Sequence, residues 1–300
     1  MLAIMYHYIR DNSDEYPNFK NLTVDQFVKQ ITFFEKEYGF VRKEDFISSI
    51  ETKRPIEKGV VLTFDDGFKD HYHNVLPILQ ERGLWGFFYI PTGHYNNKKI
   101  LNVHRLHHLL GKYNAKLLFK DACGFVDVSM LNENKIPEFD KEIYRDQKLS
   151  KWEFLFKRLF NYYLREEYKG ELLSEIFAKY LNSEEIYDKL YLTKEELFEI
   201  EKCGSVIGSH TVTHPVLSTL SYAQQYQEIK ESYVFLDSFL NMQVRSFCYP
   251  YGGTATYNQD TFKVLKECGV DHAFAVDNKT LDAIDNKYTL TRLDCNRFIK

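Results

Sequence analysis

No pair of cysteines in this 300-residue chain is spaced C-x-x-C; the five present, Cys123, Cys203, Cys248, Cys268 and Cys295, are scattered and odd in number. That pattern rules out a structural zinc site made of thiolates and fits the reduced thiols of a cytoplasmic protein. No apolar run approaches the ~20 residues that span a bilayer. The opening Met1-Leu2-Ala3-Ile4-Met5-Tyr6-His7-Tyr8 also lacks the basic region and long apolar core of a signal peptide, and reads as a strand. The expected location is therefore the cytoplasm. Charge of one sign is not in excess: 39 Lys+Arg against 43 Asp+Glu leave a net −4, so nucleic acid is an unsuitable partner. G-x-S-x-G, P-loop and G-x-G-x-x-G fingerprints are missing, which removes serine-hydrolase, nucleotide-triphosphatase and dinucleotide readings. Neither an internal repeat nor a low-complexity linker is visible.

What the chain does contain is apolar and aromatic. Hydrophobic residues make up 44% and charged residues 27%, with 22 Tyr and 24 Phe, a load that excludes disorder and permits a large core. The length fits one large catalytic domain, or a domain carrying a sizeable insertion.

Short β-rich runs alternate with capped amphipathic helices, the rhythm of an α/β fold with mainly parallel strands. Strands are expected over 2–8, 60–63, 85–90, 206–209, 245–249, 272–276 and 290–294. Thr23 with Gln26 and Thr193 with Glu196 form capping boxes, and Ser221 caps a helix over 222–240. Further helices are expected over 70–82, stopped by Gly83, and over 259–267, ended by Gly269. Between Tyr95 and Leu192 the strand rhythm disappears and long helical patterns take over. In 150–168, Trp152, Phe156, Leu159, Phe160 and Tyr163 recur at helical spacing, a stripe better suited to packing than to a ligand. The organisation read from this is an α/β domain formed by 1–94 and 193–300, with a helical insertion over 95–192.

Three motifs carry chemistry. Thr63-Phe64-Asp65-Asp66-Gly67 follows the apolar strand Val60-Val61-Leu62, and strand C-termini are where α/β folds place active sites. Adjacent side chains leaving a strand end point apart, so one acid can bind a metal while its neighbour takes a proton; a plain Asp-Asp-Gly turn would read the same in isolation. Ser209-His210-Thr211-Val212-Thr213-His214-Pro215 also ends an apolar strand. Two histidines four residues apart can converge on one metal, and an aspartate from another strand end completes a set of two imidazoles and one carboxylate. Ser246-Phe247-Cys248-Tyr249-Pro250-Tyr251-Gly252-Gly253 ends a third strand in a turn that can aim a backbone N–H at an oxyanion and offer a ring to a sugar face.

Together these motifs resemble the polysaccharide deacetylase family, also called carbohydrate esterase family 4 or the nodulation-type deacetylase homology domain. The resemblance implies a distorted (β/α) barrel, here with a large helical insertion, and metal-dependent hydrolysis of an N-acyl group from an amino sugar. It makes Asp65 the general base and Asp66, His210 and His214 the ligands of a divalent metal, with Zn2+ first and Co2+, Ni2+, Mn2+ or Fe2+ as alternatives. Tyr251 donates its backbone N–H to the oxyanion, and Tyr6, Pro250 and Tyr251 are expected beside the sugar. Two positions depart from the family pattern: Cys248 stands where an arginine usually orients the base, and Leu293-Asp294-Cys295 lacks the histidine that usually serves as acid. The opening Ile4-Met5-Tyr6-His7 resembles the circularly permuted exopolysaccharide-deacetylase branch, which implies His7 as the acid and leaves Arg292 to orient Asp65.

The implied partner is an N-acylated amino sugar, an oligosaccharide or a glycan precursor. A deformylase or other amide hydrolase on the same site, and a catalytically silent carbohydrate-binding protein, are the competing readings. His104 and His108 have i,i+4 spacing suited to a second metal, but with no carboxylate nearby in the sequence they read as solvated or substrate-contacting. His71 and His73 are expected to cap or to face solvent.

Overall fold

Every strand of this protein is buried on both faces, and the period-2 alternation of side chains decides which residues fill the interior. A computed structural model describes residues 1–132, 149–277 and 286–298; the rest of the expected insertion, 133–148, lies outside the described residues. Strands β1 (Leu2–Tyr6), β2 (Val60–Phe64), β3 (Gly86–Ile90), β4 (Val206–Ser209), β5 (Ser246–Cys248), β6 (His272–Val276) and β7 (Leu290–Asp294) are all parallel. They pair in chain order and close into a barrel, with β7 returning to β1 through Leu293–Ile4 and Asp294–Met5. The expected (β/α) barrel is present, distorted by having one strand fewer than the regular eight.

The helices form where the capping signals place them. Thr23 caps Val24–Glu37, Thr193 caps Lys194–Lys202 and Ser221 caps Tyr222–Asp237, each with a reciprocal capping box. The helix capped by Ser221 ends at Asp237, three residues before the expected 240, and two others differ in kind. The 70–82 helix begins as a π-helical turn, His71–Val75, before Leu76–Glu81 becomes regular. The 150–168 helix is interrupted: Lys151–Arg158 runs into a π-helical turn, Leu159–Tyr163, and Leu164 then leaves the helix to form a β-bridge with Leu131. A new helix, Glu166–Tyr180, follows. Phe156 and Phe160 are buried as a packing stripe requires, while Trp152 lies partly exposed against Phe119.

Met1, Ala3, Val61, Phe87, Tyr89 and Phe274 fill the barrel interior, whereas Leu2, Ile4, Tyr6, Val60, Leu62 and Phe64 face outward under Val24–Glu37. This alternation overturns the expectation for Tyr6. Its ring is fully buried on the outer face, 5.1 Å from Phe27 and 5.5 Å from Phe64 by ring centroids, where a sugar has no access. The next residue along, His7, has the opposite sense and points to the C-terminal mouth. A second core joins Tyr8 and Phe68 from the loops at that mouth to Leu106, Phe156, Leu173 and Tyr191 of the helical segment. Among the described residues, no helix is long and apolar enough to cross a membrane.

The interior also holds a polar chain: the Tyr89 hydroxyl lies 2.7 Å from Ser246 Oγ, which lies 2.9 Å from His272 Nε2. Gly208 on β4 makes room for it, since a Cβ there would sit 2.5 Å from the Tyr89 ring and 2.8 Å from the Ser246 carbonyl oxygen. Gly208→Ala is therefore expected to cost about 1–3 kcal/mol in urea denaturation, as overpacking of a filled core does. Unchanged stability would contradict this packing.

Candidate active site

Asp65 is the next inward position after Thr63 on β2, at the strand's C-terminal end, and Asp66 follows it in the left-handed region at φ 77°. The positive φ turns the second carboxylate away from the first. Both are 2% exposed. Of the six non-glycine residues in that region among the described residues, Asp66, Thr211, His214 and Tyr251 all lie in the three motifs. Such backbone strain persists only where surrounding contacts enforce it. For the histidine loop those contacts include Glu228, whose carboxylate accepts from the Val212 and Thr213 amides at 2.9 and 2.8 Å and from the Thr213 hydroxyl at 2.6 Å. The Thr211 hydroxyl accepts from the His214 amide at 3.0 Å.

Asp65 belongs to a cation. Arg292, reaching in from β7, donates NH1 to Oδ1 at 2.7 Å and NH2 to Oδ2 at 2.8 Å, and a further bond to Thr63 Oγ1 at 3.0 Å fixes the guanidinium. Burial alone would raise the Asp65 pKa, but the Arg292 charge and its hydrogen bonds more than reverse this and hold the carboxyl below its ordinary range. Asp65 is therefore ionised at neutral pH. Arg292 NH2 also lies 2.8 Å from Cys248 Sγ, so the thiol packs beside the guanidinium.

His7 Nε2 is 3.8 Å from Asp65 Oδ2, and its side chain is 40% exposed, open to solvent at the barrel mouth. The loop carrying it is pinned by the π-helical turn after β2. Asp70 accepts from the Ile9 amide at 3.2 Å and from Arg10 Nε at 2.7 Å, Asn74 donates to the Ile9 carbonyl at 2.8 Å, and His71 Nε2 lies 2.9 Å from the His7 carbonyl. His71 is thus fully buried rather than solvent-facing, whereas His73 is exposed beside Glu196, as expected.

Asp66 belongs to imidazoles. Oδ1 lies 3.6 Å from His210 Nε2 and 3.4 Å from His214 Nε2, and Oδ2 lies 3.3 Å from His104 Nε2. Burial lowers the pKa of His210 and takes that of His214 down to about 3, so both rings are neutral at pH 7. His210 Nδ1 donates to the Cys248 carbonyl at 2.7 Å, which leaves Nε2 as a lone-pair nitrogen aimed at a carboxylate oxygen. Two lone pairs facing each other in a buried site repel unless a cation lies between them. Asp66 Oδ1 has no hydrogen-bond partner, and among the described residues no lysine or arginine pairs with Asp66. The three groups therefore fit a divalent metal, with ligand atoms within 4.8 Å of one another.

A second cluster, Asp65, His210 and Cys248, has similar spacing but unsuitable chemistry. Arg292 already occupies both Asp65 oxygens, and burial pushes the Cys248 thiol well above its ordinary pKa, away from the thiolate a metal needs.

His104 corrects the sequence reading. It is fully buried against Asp66, a carboxylate remote in sequence that the fold brings to it, and is neither solvated nor paired with His108. His108 packs instead against Tyr16 and Phe19, each 5.3 Å away by ring centroids, and neither of its nitrogens has a partner. Pro250 is buried, while Tyr251 is half-buried with its ring 5.0 Å from that of His214. Tyr251 and His214 line a small pocket together with Asn161 and Lys169 of the helical segment.

The sequence model of the polysaccharide deacetylase family matches residues 52–119 and 166–273. YxkH of Bacillus subtilis (strain 168), named as a candidate polysaccharide deacetylase, is 29% identical over 105 residues, which is 35% of this chain and 37% of YxkH. The match thus spans little more than a third of that relative's length. The Streptococcus pyogenes deacetylase PplD, solved in complex with acetate, superposes with a TM-score of 0.60 at 20% identity, over 98% of this chain and 91% of PplD. IcaB from Ammonifex degensii gives 0.58 at 15% identity, over 97% and 90% of the two chains. A de-N-acetylase from Aggregatibacter actinomycetemcomitans gives 0.56 at 16% identity, over 97% and 93%. At these identities the likeness is one of fold. His7 and Arg292 lie outside the residues that the family model matches.

Arg292→Met would leave the Asp65 carboxylate buried without its counter-charge, and should destabilise the protein by about 3–5 kcal/mol in urea denaturation at pH 7. A carboxyl whose folded pKa is depressed contributes stability above its unfolded pKa and loses it as the pH falls through the folded value. In the variant, burial raises the Asp65 pKa, so its carboxyl takes up a proton first; the gap between wild type and variant should therefore narrow as the pH falls from neutrality through that raised value toward the lowered wild-type one. Equal unfolding midpoints at pH 7 would contradict the assignment.

Proposed function

Because the chain belongs to the polysaccharide deacetylase family, we propose that it is a metal-dependent carbohydrate N-deacetylase, removing the acetyl group from an amino sugar of a surface polysaccharide or a glycan precursor. The observation that carries this reading is the lone-pair nitrogen of His210 facing the unpartnered Oδ1 of Asp66, a gap suited to a cation. Asp66, His210 and His214 hold a divalent metal, and their nitrogen and oxygen donors suit Zn2+ first, with Co2+, Ni2+, Mn2+ or Fe2+ as alternatives. Bound there, such a metal supplies Lewis-acid polarisation of the amide carbonyl and a lowered pKa for water.

The chain's own groups do the rest. Asp65, ionised and held by Arg292, accepts a proton from the attacking water. Charge then develops on the carbonyl oxygen, and the Tyr251 N–H is assigned to it as a donor. An amide nitrogen cannot leave as an anion at neutral pH, so the reaction also needs an acid. His7 supplies that proton; its position within 3.8 Å of Asp65 supports the assignment, because acid and base must flank one scissile bond. The barrel residues 1–94 and 193–300 carry this chemistry, and the helical segment 95–192 walls the pocket that selects the sugar. All five cysteines are unpaired, which supports a cytoplasmic setting.

Purified protein with Zn2+ should release acetate from a pool of N-acetylated amino sugars and release formate more slowly from N-formyl counterparts, and a chelator should abolish both activities. Asp65→Asn and His7→Ala should each lower kcat by about 10²–10⁴ while retaining bound metal. A metal-loaded protein that releases no acetate from any of these sugars would overturn the function. Near wild-type turnover in His7→Ala would remove His7 from the mechanism.

A further inference from the structure

Asp66 uses only one of its oxygens toward His210 and His214. The other, Oδ2, lies 3.3 Å from His104 Nε2, a buried nitrogen with no hydrogen-bond partner among the described residues. His104 stands on the helix Asn102–Lys112, outside the three motifs, and is wholly buried. Its Nδ1 lies 2.6 Å from the Tyr191 hydroxyl. That hydroxyl accepts from the Leu101 amide at 3.0 Å, so its own proton is directed to His104 Nδ1. The imidazole proton is then left on Nε2, the nitrogen beside Asp66 Oδ2.

Tyr191 is itself fastened to the chain that follows Asp66. It forms an antiparallel bridge with Phe68, the adjacent Leu192 amide donates to the Gly67 carbonyl at 2.9 Å, and its ring stacks on His94 at a centroid distance of 3.8 Å. Backbone and side chain of one residue thus hold the aspartate loop from two directions.

We propose that His104, anchored by Tyr191, is a positioning residue of the metal site: it holds Oδ2 of Asp66 and thereby presents Oδ1 to the cation as a single-oxygen ligand. This rests on the metal-binding reading above and deepens it. A carboxylate with both oxygens free can rotate, chelate through both, or turn from the metal; a donor on one oxygen removes those states before binding. Outer partners of this kind are typically worth 10–100-fold in metal affinity. The helical segment then takes part in assembling the metal site as well as walling the substrate pocket.

The test uses metal-free protein and zinc alone, by chelator competition, with the visible spectrum of the Co2+-loaded form as a second readout that a purely structural role would not move. His104→Leu should weaken zinc binding about 10–100-fold and alter the Co2+ spectrum. His104→Gln, whose amide N–H can reach the same oxygen, should recover most of the affinity. Tyr191→Phe should weaken binding by a smaller factor, and carries the test if His104→Leu does not fold. Wild-type zinc affinity and an unchanged Co2+ spectrum in His104→Leu, or in Tyr191→Phe should that variant alone be folded, overturn the proposal and leave the metal site standing. A wild-type protein that takes up no zinc overturns the metal site itself.

Discussion

Two carboxylates on consecutive residues, both buried at the end of one strand, are the constraint on which this structure turns. Left alone they would repel, and one would take up a proton. Each instead has its own environment, because the left-handed conformation at Asp66 turns the second side chain away from the first. Asp65 faces inward to a full positive charge on Arg292, and Asp66 faces a set of imidazoles. Barrel closure is what makes this possible. β7 returns to β1, which brings Arg292 within reach of Thr63 and Asp65 one strand further on. Two carboxylates can then be neighbours in the chain without sharing a proton.

The departures from the family pattern have a physical account in the same geometry. Cys248 points into the barrel where an arginine would have approached Asp65 from β5; here Arg292 approaches from β7, and the thiol fills the space beside it. His7 reaches the mouth from β1, with its backbone held by Asp70, His71 and Asn74 on the turn that follows the two aspartates. The segment bearing His7 is thus tied to the segment bearing Asp65. Tyr191 plays the corresponding part for the metal ligand, linking the end of the helical segment to Gly67 and Phe68.

Much of this could be read in the sequence, for identifiable reasons. Strand positions were legible because apolar runs end at turn residues, and helix starts because Thr23, Thr193 and Ser221 carry their capping partners three residues on. That Asp66, His210 and His214 come together follows from two motifs that are each local in the chain and each end a barrel strand. The pairing of Arg292 with Asp65 has no local signal, since the two lie on different strands far apart in the chain. Tyr6 was misread by one residue of strand period, which is enough to send a side chain to the opposite face. The break at Leu164 depends on a bridge to Leu131, and the burial of His71 on a carbonyl from β1, contacts that local spacing does not encode. His104 was misread for the same reason: its carboxylate is far away in the chain and close only after the barrel and the helical segment share a core.

The central claim is that the gap between Asp66 and the two histidines is the metal site. An anomalous difference map from crystals of the Zn2+-loaded protein tests it most directly. The account predicts one strong peak about 2.0–2.2 Å from Asp66 Oδ1, His210 Nε2 and His214 Nε2. A peak between Asp65, His210 and Cys248 instead, or no peak at either position, would contradict it.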